Sequence, residues 1–206
     1  MTVHPFIYLA SQSPRRAQLL DLLGVVHRPL LPDADEDAEA LEAEQPGELP
    51  LAYVQRVTHA KLWAARTRLR RRDLPAAPVL CADTTVALGR RILGKPRDAA
   101  EAVAMLARLS GRSHRVLTAV SVHDGRRAHH ALNITKVRFA ELPPAVIAAY
   151  IASGEPFGKA GAYAIQGALA GWIECIDGSH SGVMGLPLFE TTQLLKTAGV
   201  ALALAA

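Results

Sequence analysis

The 206-residue sequence predicts an α/β protein built around a mixed β-sheet with flanking helices, on three observations. Segments of strand and helix character alternate along the chain, which argues for parallel connections. Two turns, Gly89-Arg90-Arg91 and Asp124-Gly125-Arg126-Arg127, join β-rich runs and argue for antiparallel hairpins in the same sheet. Hydrophobic residues at 50 % and charged residues at 20 % exclude intrinsic disorder, and no apolar run approaches the ~18 residues of a membrane span. No repeat, low-complexity linker or domain break interrupts the chain. Residues 1–206 are therefore expected to form a single domain able to bury roughly 70 % of its unfolded surface.

The elements follow in order. Phe6 to Ala10 is a short apolar strand. Ser11 to Ser13 then turns into a helix that reaches about Leu23 and stops at Gly24. Ser13 fits the N-cap and Pro14 the first helical position, where a missing N–H costs nothing. Asp33 to Glu44 carries seven acids in twelve positions and reads as a loop or a short exposed helix. From about Leu51 to Leu69, Val54, Val57, Lys61 and Ala65 recur at spacings of three and four, so Lys61 lies on the apolar stripe of a helix. Pro78 to Leu88 is rich in β-formers, and Ile92-Leu93 returns as a strand ended by Gly94-Lys95-Pro96. Asp98 to Leu109 has helical period. His114 to His123 and His129 to Phe139 are the arms of the second hairpin. Pro143 to Ala152 is a helix closed by Gly154, Ile173 to Ile176 is a strand, Gly178 to Pro187 is a loop, and a last helix runs from about Pro187 to Ala198.

The first ten residues lack the basic start and long apolar stretch of a signal peptide, so a cytoplasmic location is expected. Cys81 and Cys175 match no metal-ligand spacing and are expected as reduced core thiols. The formal net charge is +4, and the 23 basic residues divide into 18 Arg and 5 Lys. The cluster Arg66, Arg68, Arg70, Arg71 and Arg72 reads as a solvated helix end rather than a nucleic-acid surface, because no aromatic residues interleave it. In so arginine-rich a chain, a lysine marks a place that calls for a compact ammonium, as phosphate clamps do.

Four segments carry candidate chemistry. Arg15 and Arg16 occupy the second and third helical positions beside free backbone N–H groups and the Ser11 and Ser13 hydroxyls. That is an anion site in kind, or else a capped helix with solvated arginines. Asp83 ends a run expected to be buried, with Thr84 and Thr85 beside it. Its partner is a cation, a metal, a substrate water or a structural hydrogen bond. Lys95 is held in a rigid corner. In Phe157 to Gly167, three glycines allow close backbone approach, and Gln166 can offer both donor and acceptor to a base edge. The alternative is a turn packed under the sheet.

Together these blocks resemble the Maf nucleotide pyrophosphatases. The resemblance runs through Leu9-Ala10-Ser11-Gln12-Ser13-Pro14-Arg15-Arg16, Ala82-Asp83-Thr84-Thr85-Val86, Gly94-Lys95-Pro96 and Leu109-Ser110-Gly111-Arg112-Ser113-His114-Arg115-Val116. It continues through Gly154-Glu155-Pro156, Lys159 to Gly167, and Val183-Met184-Gly185-Leu186-Pro187-Leu188, in family order over nearly the whole chain. It implies an elongated mixed sheet whose flanking helices form two lobes around a central nucleotide-binding cleft, similar to the inosine triphosphate pyrophosphatases. It also implies cleavage of a nucleoside triphosphate between the α and β phosphates, dependent on a divalent cation (Mg²⁺ or Mn²⁺), as nucleotide-pool house-cleaning. The form Lys-Ala-Gly-x-Tyr-x-Ile-Gln-Gly looks like the branch acting on dTTP and UTP.

Roles carried over by that resemblance make Asp83 the proton acceptor and place Ser11, Arg15, Arg16, Lys61 and Lys95 around the triphosphate. They link Arg15, Thr84 and Gln166 to base choice, and set Glu36 and Asp83 near the metal. His180 and Gly182 depart from the family, which more often shows Tyr and Asn there. The implied partner is the triphosphate, without nucleic acid or membrane; a homodimer stays open. The rival reading is a non-catalytic nucleotide- or nucleic-acid-binding regulator of cell division. Its local support is the arginine cluster, and it gives Asp83 no task.

Overall fold

A computed structural model describes residues 3–37 and 40–204. In chain order the elements are β1 (Ile7–Leu9), α1 (Pro14–Leu22), β2 (His27–Pro29), α2 (Pro50–Arg71), β3 (Val79–Leu88), β4 (Arg91–Leu93), α3 (Ala99–Leu109), β5 (Ser113–His123), β6 (Ala128–Phe139), α4 (Pro144–Ala152), β7 (Ile173–Asp177), α5 (His180–Met184) and α6 (Leu188–Thr197). Short 3₁₀ turns lie at Ala40–Glu42, Ala160–Ala162 and Ala168–Trp172.

One mixed sheet of seven strands runs β2-β1-β3-β5-β6-β7, with β4 paired to β3. β1 is parallel to both β2 and β3, and the remaining pairs are antiparallel. The long hairpin of β5 and β6 sits where Asp124-Gly125 predicted it: the Asp124 carboxylate accepts from the Arg126 and Arg127 N–H groups, and Gly125 takes φ +95°.

Because side chains alternate across a strand, β3 serves both faces. Val79, Cys81 and Ala87 pack beneath α2 with Leu62, Ala65, Val54 and Val57. Leu80 and Ala82 pack on the opposite face with Leu19 and Leu20 of α1 and Leu194 and Leu195 of α6. Farther along that face, Val86 meets Leu106 and Leu109 of α3 and Ile147 of α4.

Several expectations are corrected. β2 was not foreseen: its three residues include a proline and are mostly exposed, so only pairing with β1 makes them a strand. The stretch 178–187 contains the five-residue helix α5, capped by Ser179, whose Oγ accepts from Gly182 N. Ser13 stands at the N-cap of α1 without a side-chain cap bond; the Ser11 hydroxyl accepts the Ser13 N–H instead, at 3.2 Å. Cys81 is buried and its thiol pKa is pushed up to about 12 by desolvation. Cys175 is exposed on β7 rather than in the core. Among the described residues, no helix is long and apolar enough to cross a membrane.

Candidate active site

The sheet has a gap. β1 covers one edge of β3 as far as Leu80, the partner of Leu9, and β4 begins to cover the same edge only at Val86, the partner of Leu93. Among the described residues, no strand pairs with Ala82–Thr85 on that side. A cavity of about 450 Å³ opens there. Its lining includes Ser11, Arg15, Arg16, Glu42, Lys61, Asp83, Thr84, Lys95 and Lys159.

Alternation on β3 sends Asp83 and Thr84 to opposite sides of this gap. Asp83, 8 % exposed, points to the α2 face. Lys61 stands on α2 between the Val54–Val57 and Leu62–Ala65 apolar groups, so packing of the helix delivers its ammonium to Asp83. The Lys61 Nζ donates to Asp83 Oδ1 at 2.6 Å and to Glu42 Oε1 at 2.7 Å. Lys95 Nζ donates to the other Glu42 oxygen at 2.8 Å. Burial works against the Lys61 ammonium, but Asp83 and Glu42 outweigh it and hold its pKa above the ordinary lysine value. Burial would likewise raise the Glu42 pKa, yet Lys61 and Lys95 keep it below the usual carboxylate range. The result is a fixed chain of alternating charge.

On the other side, Arg16 reaches from the first turn of α1 to three segments. Its guanidinium donates to the Gly185 carbonyl at 2.8 Å, to Ser11 Oγ at 3.0 Å and to Thr84 Oγ1 at 3.3 Å. Thr84 and Thr118 hydroxyls lie 3.0 Å apart, and Thr118 Oγ1 donates to the Gly182 carbonyl at 2.8 Å. Gly185 closes α5 at φ +117°, where a Cβ would sit 3.5 Å from both Arg16 Nε and Thr84 Oγ1, so a side chain there would be strained. Desolvation, only partly offset by Asp83, lowers the Arg16 pKa, and desolvation with the nearby Arg15 charge does the same for Lys159. Two cations thus lie poorly hydrated and close to a third. Such a place favours an anion.

The structure brings Ser11, Arg15, Arg16, Lys61, Asp83, Thr84 and Lys95 to one cavity. It does not bring Glu36 there. The Glu36 carboxylate lies outside the lining, paired with Arg71 and with Arg68, which does reach the lining, and Glu42 is the acid that joins Asp83 through Lys61. Gln166 is exposed and also lies outside the lining, although Ile165 and Tyr163 beside it belong to it. Tyr163 is fixed from below by buried His114, whose Nε2 lies 2.7 Å from its hydroxyl and whose pKa desolvation lowers to about 4.

Sequence reasoning missed Glu42, Thr118 and Gly185 as site residues. Nothing marks Glu42 among seven acids, and Thr118 is visible only through its register opposite Thr84. Lys159 was not assigned to the site either, although the scarcity of lysine and its place in the Lys159 to Gly167 block could have marked it.

The model of the Maf-like protein family matches residues 6–198. The chain belongs to the Maf family. Its relatives include proteins named dTTP/UTP pyrophosphatase from Albidiferax ferrireducens, 63 % identical over 94 % of this chain and 97 % of the relative, and from Polaromonas sp., 60 % identical over 97 % and 99 %. A third, of the same name, from Burkholderia pseudomallei, is 63 % identical over 96 % of both chains. In this Maf protein the segments that carry Ser11, Arg16, Asp83, Lys95, Lys159 and Gly185 line the gap beside β3.

Proposed function

We propose that the protein hydrolyses dTTP and UTP between the α and β phosphates, releasing a nucleoside monophosphate and pyrophosphate. The observation that carries this reading is a single cavity joining a buried carboxylate, Asp83, to Arg15, Arg16, Lys61, Lys95 and Lys159, with Arg68 at its margin already committed to Glu36. A triphosphate brings about four negative charges, and preorganised cations in a poorly hydrated cleft stabilise the charge that moves onto the leaving group. The names of the relatives supply the bases: each is called a dTTP/UTP pyrophosphatase.

In this mechanism Arg16, held by Ser11, Thr84 and the Gly185 carbonyl, and Arg15 beside it receive phosphate oxygens. Lys95 and Lys159 approach from β4 and the Gly-rich loop. Lys61 holds one oxygen of Asp83, which keeps the carboxylate aimed; the other oxygen orients a water and takes its proton as the phosphorus is attacked. The donor set suits a divalent cation. Mg²⁺ is usually held by one or two carboxylates together with substrate phosphates rather than by a protein cage. Among the described residues no three His, Cys, Asp or Glu side chains form such a cage, while Asp83 and Glu42 present two hard carboxylates on the same ammonium. These two would hold the cation, which would neutralise phosphate charge. The two-lobed arrangement around the cleft, the likeness to inosine triphosphate pyrophosphatases and the cytoplasmic location belong to the same proposal.

The test is direct. Purified protein with Mg²⁺ or Mn²⁺ and dTTP, UTP, CTP, GTP or 7-methylguanosine triphosphate is resolved by ion exchange. Pyrophosphate is expected from dTTP and UTP, and its absence from every substrate overturns the reading.

A further inference from the structure

We infer that Glu42 sets the negative charge a ligand must carry to occupy the phosphate site, and so favours triphosphate over the two products. The inference rests on the triphosphate reading above and deepens it. Both Glu42 oxygens are in use, one on each ammonium, at 2.7 Å to Lys61 and 2.8 Å to Lys95. Two phosphate oxygens would use the same ammoniums. Carboxylate and phosphate are therefore competitors for one pair of donors.

The main chain around Glu42 is held independently of that contact. Tyr53 donates its hydroxyl to the Glu42 carbonyl at 2.8 Å. Arg56 donates to the Leu41 and Ala43 carbonyls on either side and forks onto the Glu48 carboxylate at 2.7 and 2.8 Å. All of this ties the strap to α2. Among the described residues, the Glu42 side chain alone reaches across to Lys95, which is 52 % exposed. Exchange of Glu42 for a phosphate thus needs a side-chain rotation, with the backbone left in place.

A tethered carboxylate acts at high effective concentration. A monophosphate, with about two charges, gains little by displacing it. A triphosphate also engages Arg15, Arg16 and Lys159 and wins the exchange. After cleavage that combined hold is divided between two products, and Glu42 returns to the lysines as each leaves.

The decisive measurement is calorimetric binding of inorganic pyrophosphate and dTMP, in EDTA, to the native protein and to Glu42→Gln and Glu44→Gln. Glu42→Gln keeps the shape and removes the competing charge. It is expected to tighten pyrophosphate about tenfold, or about 1.4 kcal/mol. Glu44→Gln removes an equal charge two residues away, and a shift below about twofold is expected. Glu42→Asp, too short to span both lysines, should tighten binding by a smaller factor, and it replaces the amide variant if that one does not fold.

Unchanged or weaker pyrophosphate binding in folded Glu42→Gln overturns the inference, as does equal tightening in Glu44→Gln. A native protein that releases pyrophosphate from dTTP while Glu42→Gln binds it no tighter refutes this inference alone. A native protein that neither binds nor releases pyrophosphate refutes the functional reading beneath it.

Discussion

Glu36 and Glu42 stand six residues apart on one acidic strap, and cations of α2 answer both, yet the two pairings differ in kind. Glu36 meets the guanidinium of Arg68, whose side chain is 5 % exposed. The Arg68 Nε–Oε1 distance is 2.9 Å, Nη2 holds the other oxygen, and Nη1 donates to the Leu30 carbonyl at 2.9 Å. Arg71 and Arg72 add Asp33 to the same knot. Glu42 instead meets two separate ammoniums inside the cavity. A planar fork satisfied on several sides fixes a segment, whereas a lysine is a point charge that can change partner without reorienting a plane. The arginine end is a latch and the lysine end is a site. Three of the five clustered arginines, Arg68, Arg71 and Arg72, are paired with Asp33 and Glu36.

The largest expected effect comes from cutting the lysine side at its base. Asp83→Asn keeps the size of the side chain but cannot accept a proton, so kcat for dTTP should fall on the order of 10²-fold or more. Calorimetric binding of dTTP should persist. Near-normal kcat with a raised requirement for divalent cation would leave Asp83 its hold on the cation alone and put the base elsewhere.

Cutting the arginine side should leave turnover and weaken the fold. Arg68→Met leaves Glu36 with Arg71 alone and strips the Leu30 carbonyl of its guanidinium donor. Glu36 is 21 % exposed and partly solvated, so the loss should be below the ~3–5 kcal/mol of a fully buried pair, about 2 kcal/mol. For a chain of this length that lowers Tm by roughly 4–8 °C. A Tm change under about 1 °C would mean that the latch is incidental.

A pH series sharpens the same contrast. The Arg68 hydrogen bond is the main reason the Glu36 carboxyl is held below its usual range, and burial opposes it. A depressed carboxyl contributes stability that is fully present above its unfolded value, about pH 4.3, and is lost as pH falls through the lower folded value. The stability gap between native protein and Arg68→Met should therefore be widest near neutrality and narrow below about pH 4. Urea unfolding at pH 6.5 and 3.5 measures it, and a gap independent of pH would assign the loss to packing of the arginine stem.

Much of this layout was legible, for reasons that differ by element. The hairpin of β5 and β6 was readable because Asp-Gly and β-branched runs act locally, and Lys61 because helical spacing alone put it on the packed stripe of α2. Arg15 and Arg16 followed from Ser-Pro at a helix start. What escaped was decided at a distance. β2 is a strand because the edge of β1 recruits it, and α5 exists because Ser179 caps five residues that otherwise look like loop. Glu36 and Glu42 are chemically interchangeable in sequence; only the cation that the folded helix presents separates them.

The smallest effect concerns base choice. Thymine and uracil present O4 and N3–H, and cytosine reverses that donor and acceptor order, so a reader of this edge needs paired donor and acceptor groups. Two candidates now compete. Gln166 has the amide but is exposed beyond the cavity lining, and would have to turn inward past Ile165. The bare edge of β3 at Ala82–Thr85 lies in the gap already and carries main-chain donors and acceptors. Gln166→Glu replaces the amide donors to O4 and keeps an acceptor for N3–H. If the amide reads the base, kcat/KM for dTTP and UTP should fall several-fold relative to CTP, while dTTP and UTP stay equal to each other because a methyl group discriminates modestly. Unchanged ratios would pass the reading to the β3 edge. Side-chain substitution does not remove main-chain donors and acceptors, so base preference would then survive single replacements at Ala82–Thr85.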